Sequence, residues 1–124
     1  MKVIIAGSRD VIDAKIVYKA IESSGFDITE VISGMAAGPD MIGYKWAIEN
    51  NILVKRMPAL WMVNGVLNRN AGFERNHEMG DYAQSLIAVW DGKSNGTKDM
   101  IKYMRKLNKP CFVYLSNSID MFDY

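Results

Sequence analysis

The sequence predicts an α/β fold: a Rossmann-like three-layer sandwich whose five-stranded parallel sheet runs in the order 3-2-1-4-5, with helices on both faces. Three observations predict it. Short apolar runs of strand length alternate with stretches of helical periodicity. Three of those runs end in small-residue turns: Gly7-Ser8-Arg9 after VIIA, Ser33-Gly34 after TEVI and Asp91-Gly92 after SLIAVW. Right-handed crossovers leave few ways to connect such a sheet. In a parallel sheet these turns share one edge, where open α/β folds bind ligands at the reversal of strand order.

Each element follows from the local pattern. Lys2 to Ala6 is too short for a helix and stops at Gly7, so it is the first strand. Ile12, Ile16, Val17, Ala20 and Ile21 recur at helical spacing, and Gly25 supplies the C-terminal stop. Ile28 to Ile32 is the second strand. Pro39 at a first helical position, with Asp40 beside it at the positive end of the dipole, opens a helix reaching about Asn50. Ile52 to Met57 is the third strand, ended by Pro58. Ala59 to Asn70 has little periodicity and is expected to be a loop with a short helical turn. Helical spacing returns from Ala71 or Gly72 to about Ala83, and Ser85 to Trp90 is the fourth strand. Gly96-Thr97 opens the last helix, with Thr97 as N-cap and Met100, Ile101, Met104 and Leu107 on its buried face. Pro110 to Leu115 is the fifth strand. The tail from Ser116 to Tyr124 carries Ile119, Met121 and Phe122 among acids and is expected to pack on a partner subunit.

Composition narrows the function. A chain of 124 residues is expected to form one domain over residues 1–124, and its 49% hydrophobic and 23% charged fractions are ordinary for a globular protein. The formal net charge of +1 gives no field for wholesale binding of nucleic acid or membrane. No apolar run approaches the roughly 20 residues needed to span a bilayer. Nothing at the start resembles a signal peptide, so a cytoplasmic location is expected. Cys111, the lone cysteine, excludes an internal disulfide and falls in the apolar run CFVYL, where a buried inert thiol is expected.

Three segments carry the candidate chemistry. Gly7, Ser8 and Arg9 combine exposed backbone amides, a hydroxyl and a guanidinium suited to phosphate; the plain alternative is a turn with a solvated arginine. The run Ser33, Gly34, Met35, Ala36, Ala37, Gly38, Pro39 and Asp40 lets backbone approach a ligand closely, although Asp40 can equally cap its helix or order the loop. Asp91, Gly92, Ser94, Gly96 and Thr97 form a turn able to hold phosphate oxygens, with Asp91 facing ribose hydroxyls or a water. Its alternative is a polar loop. Neither G-x-G-x-x-G nor G-x-x-x-x-G-K-[ST] is present, which disfavours a standard NAD site and ATP hydrolysis. Arg75 and Asn76 lie on the helix before the fourth strand, where an arginine is ordinarily solvated. His77, the single histidine, supports neither a metal site nor a Ser-His-Asp or Cys-His arrangement. No cofactor is expected. Trp61 and Trp90 border the edge as possible base-stacking or packing residues.

Taken together, IAGSRD, SGMAAGPD, the Pro58 to Trp61 segment, AGFERNHEM and LIAVWDGKSNGTKDMI resemble the YspA-type branch of the SLOG superfamily, over residues 1 to about 113. That superfamily includes the LOG phosphoribohydrolases and the DNA-processing protein DprA. The resemblance implies a site for a nucleotide or nucleotide-derived molecule, with ligand roles for Gly7, Ser8, Arg9, Ser33, Gly34, Gly38, Asp40, Arg75, Asn76, Asp91, Gly92, Ser94, Gly96 and Thr97. This chain departs from the pattern at Ala37, where the family usually has Arg, and at Leu60 and Gln84, where it has Asp. The glutamate of LOG enzymes falls on Met100, which cannot act as a carboxylate, and Asp99 is rotated by about 100° around the helix.

The expected function is therefore capture or sensing of a nucleotide-derived signal, of bacterial or phage origin. The first alternative is N-glycosidic hydrolysis of a nucleoside 5′-monophosphate using Asp91 or Asp40. The second is DprA-like binding of single-stranded DNA, against which the near-neutral charge argues. A homo-oligomer is expected, with contacts around Trp61 and the tail.

Overall fold

The computed structural model describes residues 1–116. Five parallel strands form the sheet: β1 (Lys2–Gly7), β2 (Glu30–Ser33), β3 (Leu53–Arg56), β6 (Ser85–Trp90) and β7 (Cys111–Leu115). Their order is β3-β2-β1-β6-β7. This is the predicted 3-2-1-4-5 pattern once a small hairpin, β4 (Met62–Val63) and β5 (Val66–Leu67), is numbered in between. The predicted tail beyond residue 116 lies outside the described residues.

Each face of the sheet has its own apolar layer. Val3, Ile5, Ile87 and Val89 pack under α1 (Ala14–Ser24) and α2 (Pro39–Glu49), against Val17, Ala20, Ile21 and Ala47. The alternate residues Ile4, Ala6, Leu86 and Ala88 pack under α3 (Ala71–Tyr82) and α4 (Asn95–Lys106), against Met79, Met100, Ile101 and Met104. Strands covered on both faces must be apolar throughout, which is why β1 and β6 read as unbroken apolar runs. Each large side chain buried here contributes about 1.5–3 kcal/mol.

Local chemistry sets the helix ends, with some departures from expectation. Asp13 caps α1 by accepting from the Lys15 N–H at 3.0 Å, and Gly25 closes it at φ 68°. Ile12 therefore precedes the helix and is 80% exposed instead of joining its buried face. Pro39 stands in the first turn of α2 as expected, behind Gly38 as N-cap. The N-cap of α4 is Ser94, not Thr97, and its side chain makes no capping bond. Thr97 sits inside the first turn and is buried. The reason is upstream: the Asp91 carboxylate accepts from the Lys93 and Ser94 N–H groups, each at 2.8 Å, and turns the chain early. Leu107 ends α4 half-buried as its C-cap, off the core face predicted for it. Cys111 is likewise half-buried, and desolvation pushes its thiol pKa up.

The segment expected to hold a helical turn is instead the hairpin. Asn64 and Gly65 adopt φ 53° and 78°, the paired positive angles of a type I′ turn. Asn68 N–H donates to the Trp61 carbonyl at 2.7 Å, closing the hairpin at its base.

Candidate functional site

Strands β1 and β6 are neighbours, Gly7 pairing with Val89, and from them the sheet grows outward in both directions. At their carboxyl ends lies a cavity of about 420 Å³, within the roughly 300–1,000 Å³ of small-molecule sites. The end of β1 supplies Gly7, Ser8 and Arg9 to its wall, and α3 supplies Phe73, Arg75, Asn76 and Met79. Asp91, Ser94, Gly96 and Thr97 come from the turn into α4, Asp40 from α2, and Trp61 and Arg69 from the hairpin segment.

The first turn is held by close backbone contact. A Cβ on Gly7 would collide with the Val89 carbonyl and lie 2.6 Å from the Pro39 ring, so only glycine lets β1 pass between β6 and α2. Ser8 is 1% exposed and bridges two turns. Its N–H donates to Val89 O, and its Oγ accepts from the Asp91 N–H, both at 3.0 Å. Amide bonds from Ser94 and Lys93 hold the Asp91 carboxyl below the usual carboxylate range. Asp91 thus shapes the turn and faces the cavity as an anion.

The second turn meets α3 through Arg75. Its Nη1 donates to the Gly34 carbonyl at 2.7 Å, and its Nε donates to Asn76 Oδ1 at 3.2 Å. A side chain on Gly34 would run into this guanidinium and come within 2.6 Å of Asp40 Oδ2. Asn76 in turn donates to the Gly96 carbonyl at 3.0 Å and to Asp99 Oδ2 at 3.3 Å. Adjacent residues of one helix therefore tie the β2–α2 loop and the start of α4 to the same wall. Arg75 is not the solvated arginine that an isolated helix position suggests.

Asp40 is 5% exposed. Burial raises its carboxyl pKa from 3.8 to about 6, although Arg75, the backbone amides of Ala36 and Gly7, and Arg9 all pull the other way. Ala36 N–H reaches Oδ2 at 3.4 Å. Burial likewise lowers the Arg75 pKa, while Asp40 opposes that shift. By contrast, among the described residues neither Arg9 nor Arg69 has a hydrogen bond or an ion pair. Two guanidiniums thus face the cavity uncommitted.

The structure brings together Gly7, Ser8, Arg9, Asp40, Arg75, Asn76, Asp91, Ser94, Gly96 and Thr97 around this cavity. Gly34 lines an adjoining one. Ser33, Gly38 and Gly92 line neither cavity. Ser33 donates to the Asp40 carbonyl at 2.9 Å and accepts from the Met35 N–H at 3.1 Å, so it orders the loop from behind. Gly38 serves as the N-cap of α2, and Gly92 sits in the Asp91 turn at φ 82°. Trp90 turns its Nε1–H to the Ser94 carbonyl at 3.1 Å and takes no place in the wall.

Arg69, Phe73 and Met79 line the cavity without having been singled out as site residues. The spacing of α3 could have found the latter two, since Phe73, Asn76 and Met79 recur every three residues along one side of the helix. Met100 also reaches the wall and presents its thioether side chain there. His77 stacks on Tyr103 at 4.0 Å and lies 3.4 Å from Asp99, which accounts for it structurally. Among the described residues no group of three or more His, Cys, Asp or Glu is placed to hold a metal ion. Among them, too, no helix is long and apolar enough to cross a membrane. No protein-family model matches the chain, and no curated protein matches it in sequence.

Proposed function

We propose that this chain is a binding module of SLOG type that captures or senses a nucleotide or nucleotide-derived small molecule in the cavity over β1 and β6. The observation that carries the proposal is the pairing of two uncommitted guanidiniums, Arg9 and Arg69, with the aromatic rings of Trp61 and Phe73 in one wall. Guanidiniums suit phosphate by charge and geometry, and aromatic rings suit a flat base. Asp91 supplies an anionic acceptor for ribose hydroxyls. Self-association belongs to the same reading, supported by the exposed apolar hairpin next to Trp61.

The test is calorimetric titration of the purified chain with nucleoside 5′-monophosphates, repeated on Arg9→Ala. Loss of one charge-assisted contact of about 1.5–3 kcal/mol predicts at least a tenfold weaker Kd. Equal affinity for the variant and the parent would remove Arg9 from the site.

One observation favours a second, hydrolytic reading: Asp40 is a buried acid in the cavity wall with its pKa raised to about 6. In that reading Asp40 or Asp91 polarises the ribose of a nucleoside monophosphate. Chromatographic release of free base, abolished in Asp40→Asn, is its signature. Binding without base release leaves the capture function alone.

A further inference from the structure

Behind Arg9 and Arg75 lies a second cavity, of about 330 Å³, on the side of the β2–α2 loop. Arg9, Ala36, Trp61 and Arg75 belong to both walls, so the two spaces meet along the pair of guanidiniums. Their chemistry differs on either side of that neck. The larger lobe carries the carboxylates Asp10, Asp40 and Asp91, acceptors suited to hydroxyl groups. The smaller lobe has no carboxylate: beyond the shared residues its wall is Gly34, Met35, Ala37, Pro58 and Ala59.

A terminal phosphate would end at the neck, where the cations are. The outer wall of the smaller lobe offers it no donor side chain: Met35, Ala37, Pro58 and Ala59 bring apolar side chains beside the Trp61 ring, and Gly34 brings only backbone. Such a wall suits a flat, weakly polar ring. We propose that the ligand has two arms. A nucleoside occupies the larger lobe, an anionic phosphate linkage sits between Arg9 and Arg75, and a second ring-bearing group lies in the smaller lobe. The chemical class is that of a dinucleotide or a nucleotide esterified to a second ring through phosphate. The inference rests on the proposed nucleotide site and adds a second subsite to it. Ala37 is the position that keeps this subsite open, because its side chain is small, exposed and confined to the smaller lobe.

Titration with the four common nucleoside 5′-monophosphates and the matching symmetric dinucleoside 5′,5′-diphosphates tests it. At least one dinucleoside diphosphate should bind the parent chain at least tenfold more tightly than its monophosphate. Ala37→Phe, which fills the smaller lobe, should bring the two to within about threefold of each other while leaving the monophosphate Kd unchanged. Ala59→Phe, filling the lobe from its other wall, should do the same, and thermal melts check that both variants fold. Monophosphate binding with no gain for the second arm overturns the smaller lobe alone. A gain that survives both substitutions also overturns it. Failure of every monophosphate and every dinucleoside diphosphate to bind overturns the nucleotide site, and with it this extension.

Discussion

Asp40 is where the cost of building the site concentrates. Folding raises its pKa from 3.8 to about 6, so the folded state holds the proton more tightly than the unfolded chain. Below pH 3.8 both states are protonated and Asp40 is neutral in effect. As pH climbs through the window up to about 6, the unfolded chain ionises first and folding stability falls. The full loss is about 3 kcal/mol, at about 1.4 kcal/mol per pH unit. Asp40→Asn cannot ionise, so its stability relative to the parent should improve by that amount between pH 4 and pH 7.5, read from urea unfolding at each pH. A difference that does not move with pH would show that the Asp40 charge carries no such cost. An anion bound nearby would raise this pKa further, so ligand affinity should fall as pH rises past about 6. Titration in buffers of different ionisation heats reports the accompanying proton uptake.

Asn76 has a different burden, because its amide holds the Gly96 carbonyl and Asp99 against α3. Asn76→Ala removes both bonds from a buried position and should destabilise the fold by about 1–3 kcal/mol, with the loss visible in chemical denaturation. Helix position points to Asn76 and Arg75 only weakly, and a ligand role for them is implied by the family resemblance. Helix periodicity alone says which face a residue occupies, and nothing about which loops the sheet delivers to that face.

At the scale of elements, the strands were legible because each apolar run has a glycine or proline at or near one of its ends. Ser85–Trp90 has the bounds expected of it. The hairpin was not legible from periodicity, since paired strands of two residues each are too short to show a period. Its signal was the Asn64-Gly65 dipeptide between two apolar pairs. Among the described residues the hairpin strands pair only with each other, and Met62, Val63, Val66 and Leu67 are all exposed. A two-stranded ribbon of this size is marginal on its own. Replacing residues 62–67 with two glycines should therefore shift Tm by no more than about 3 °C, because the core keeps every buried contact. The same change should weaken nucleotide binding by releasing Trp61 from the cavity wall. A large drop in Tm would mean that the ribbon packs on the body of the protein.

For the whole molecule, the decisive feature is the reversal of strand order between β1 and β6. It brings segments 41 and 83 residues apart in sequence onto one rim, as the Arg75 bond to Gly34 and the Asp91 bond to Ser8 record. The exposed run Leu60, Trp61, Met62, Val63, Val66 and Leu67 sits at that rim and supports self-association. Sedimentation velocity should then show concentration-dependent association that Val63→Asp together with Val66→Asp reduces. A species of constant mass across the concentration range would exclude it.

By itself the sequence determined the alternation of strands and helices, the parallel sheet and the rim on which its turns meet, because apolar spacing and glycine stops are local physics. Tertiary structure decided what each residue at that rim faces. Arg75 became a clasp on Gly34, Thr97 a buried wall residue and Ser33 a support behind the loop, while among the described residues Arg9 and Arg69 were left without a hydrogen bond or ion pair. Burial, partner choice and the raised pKa of Asp40 all depend on segments distant in the chain, so no local pattern could have supplied them.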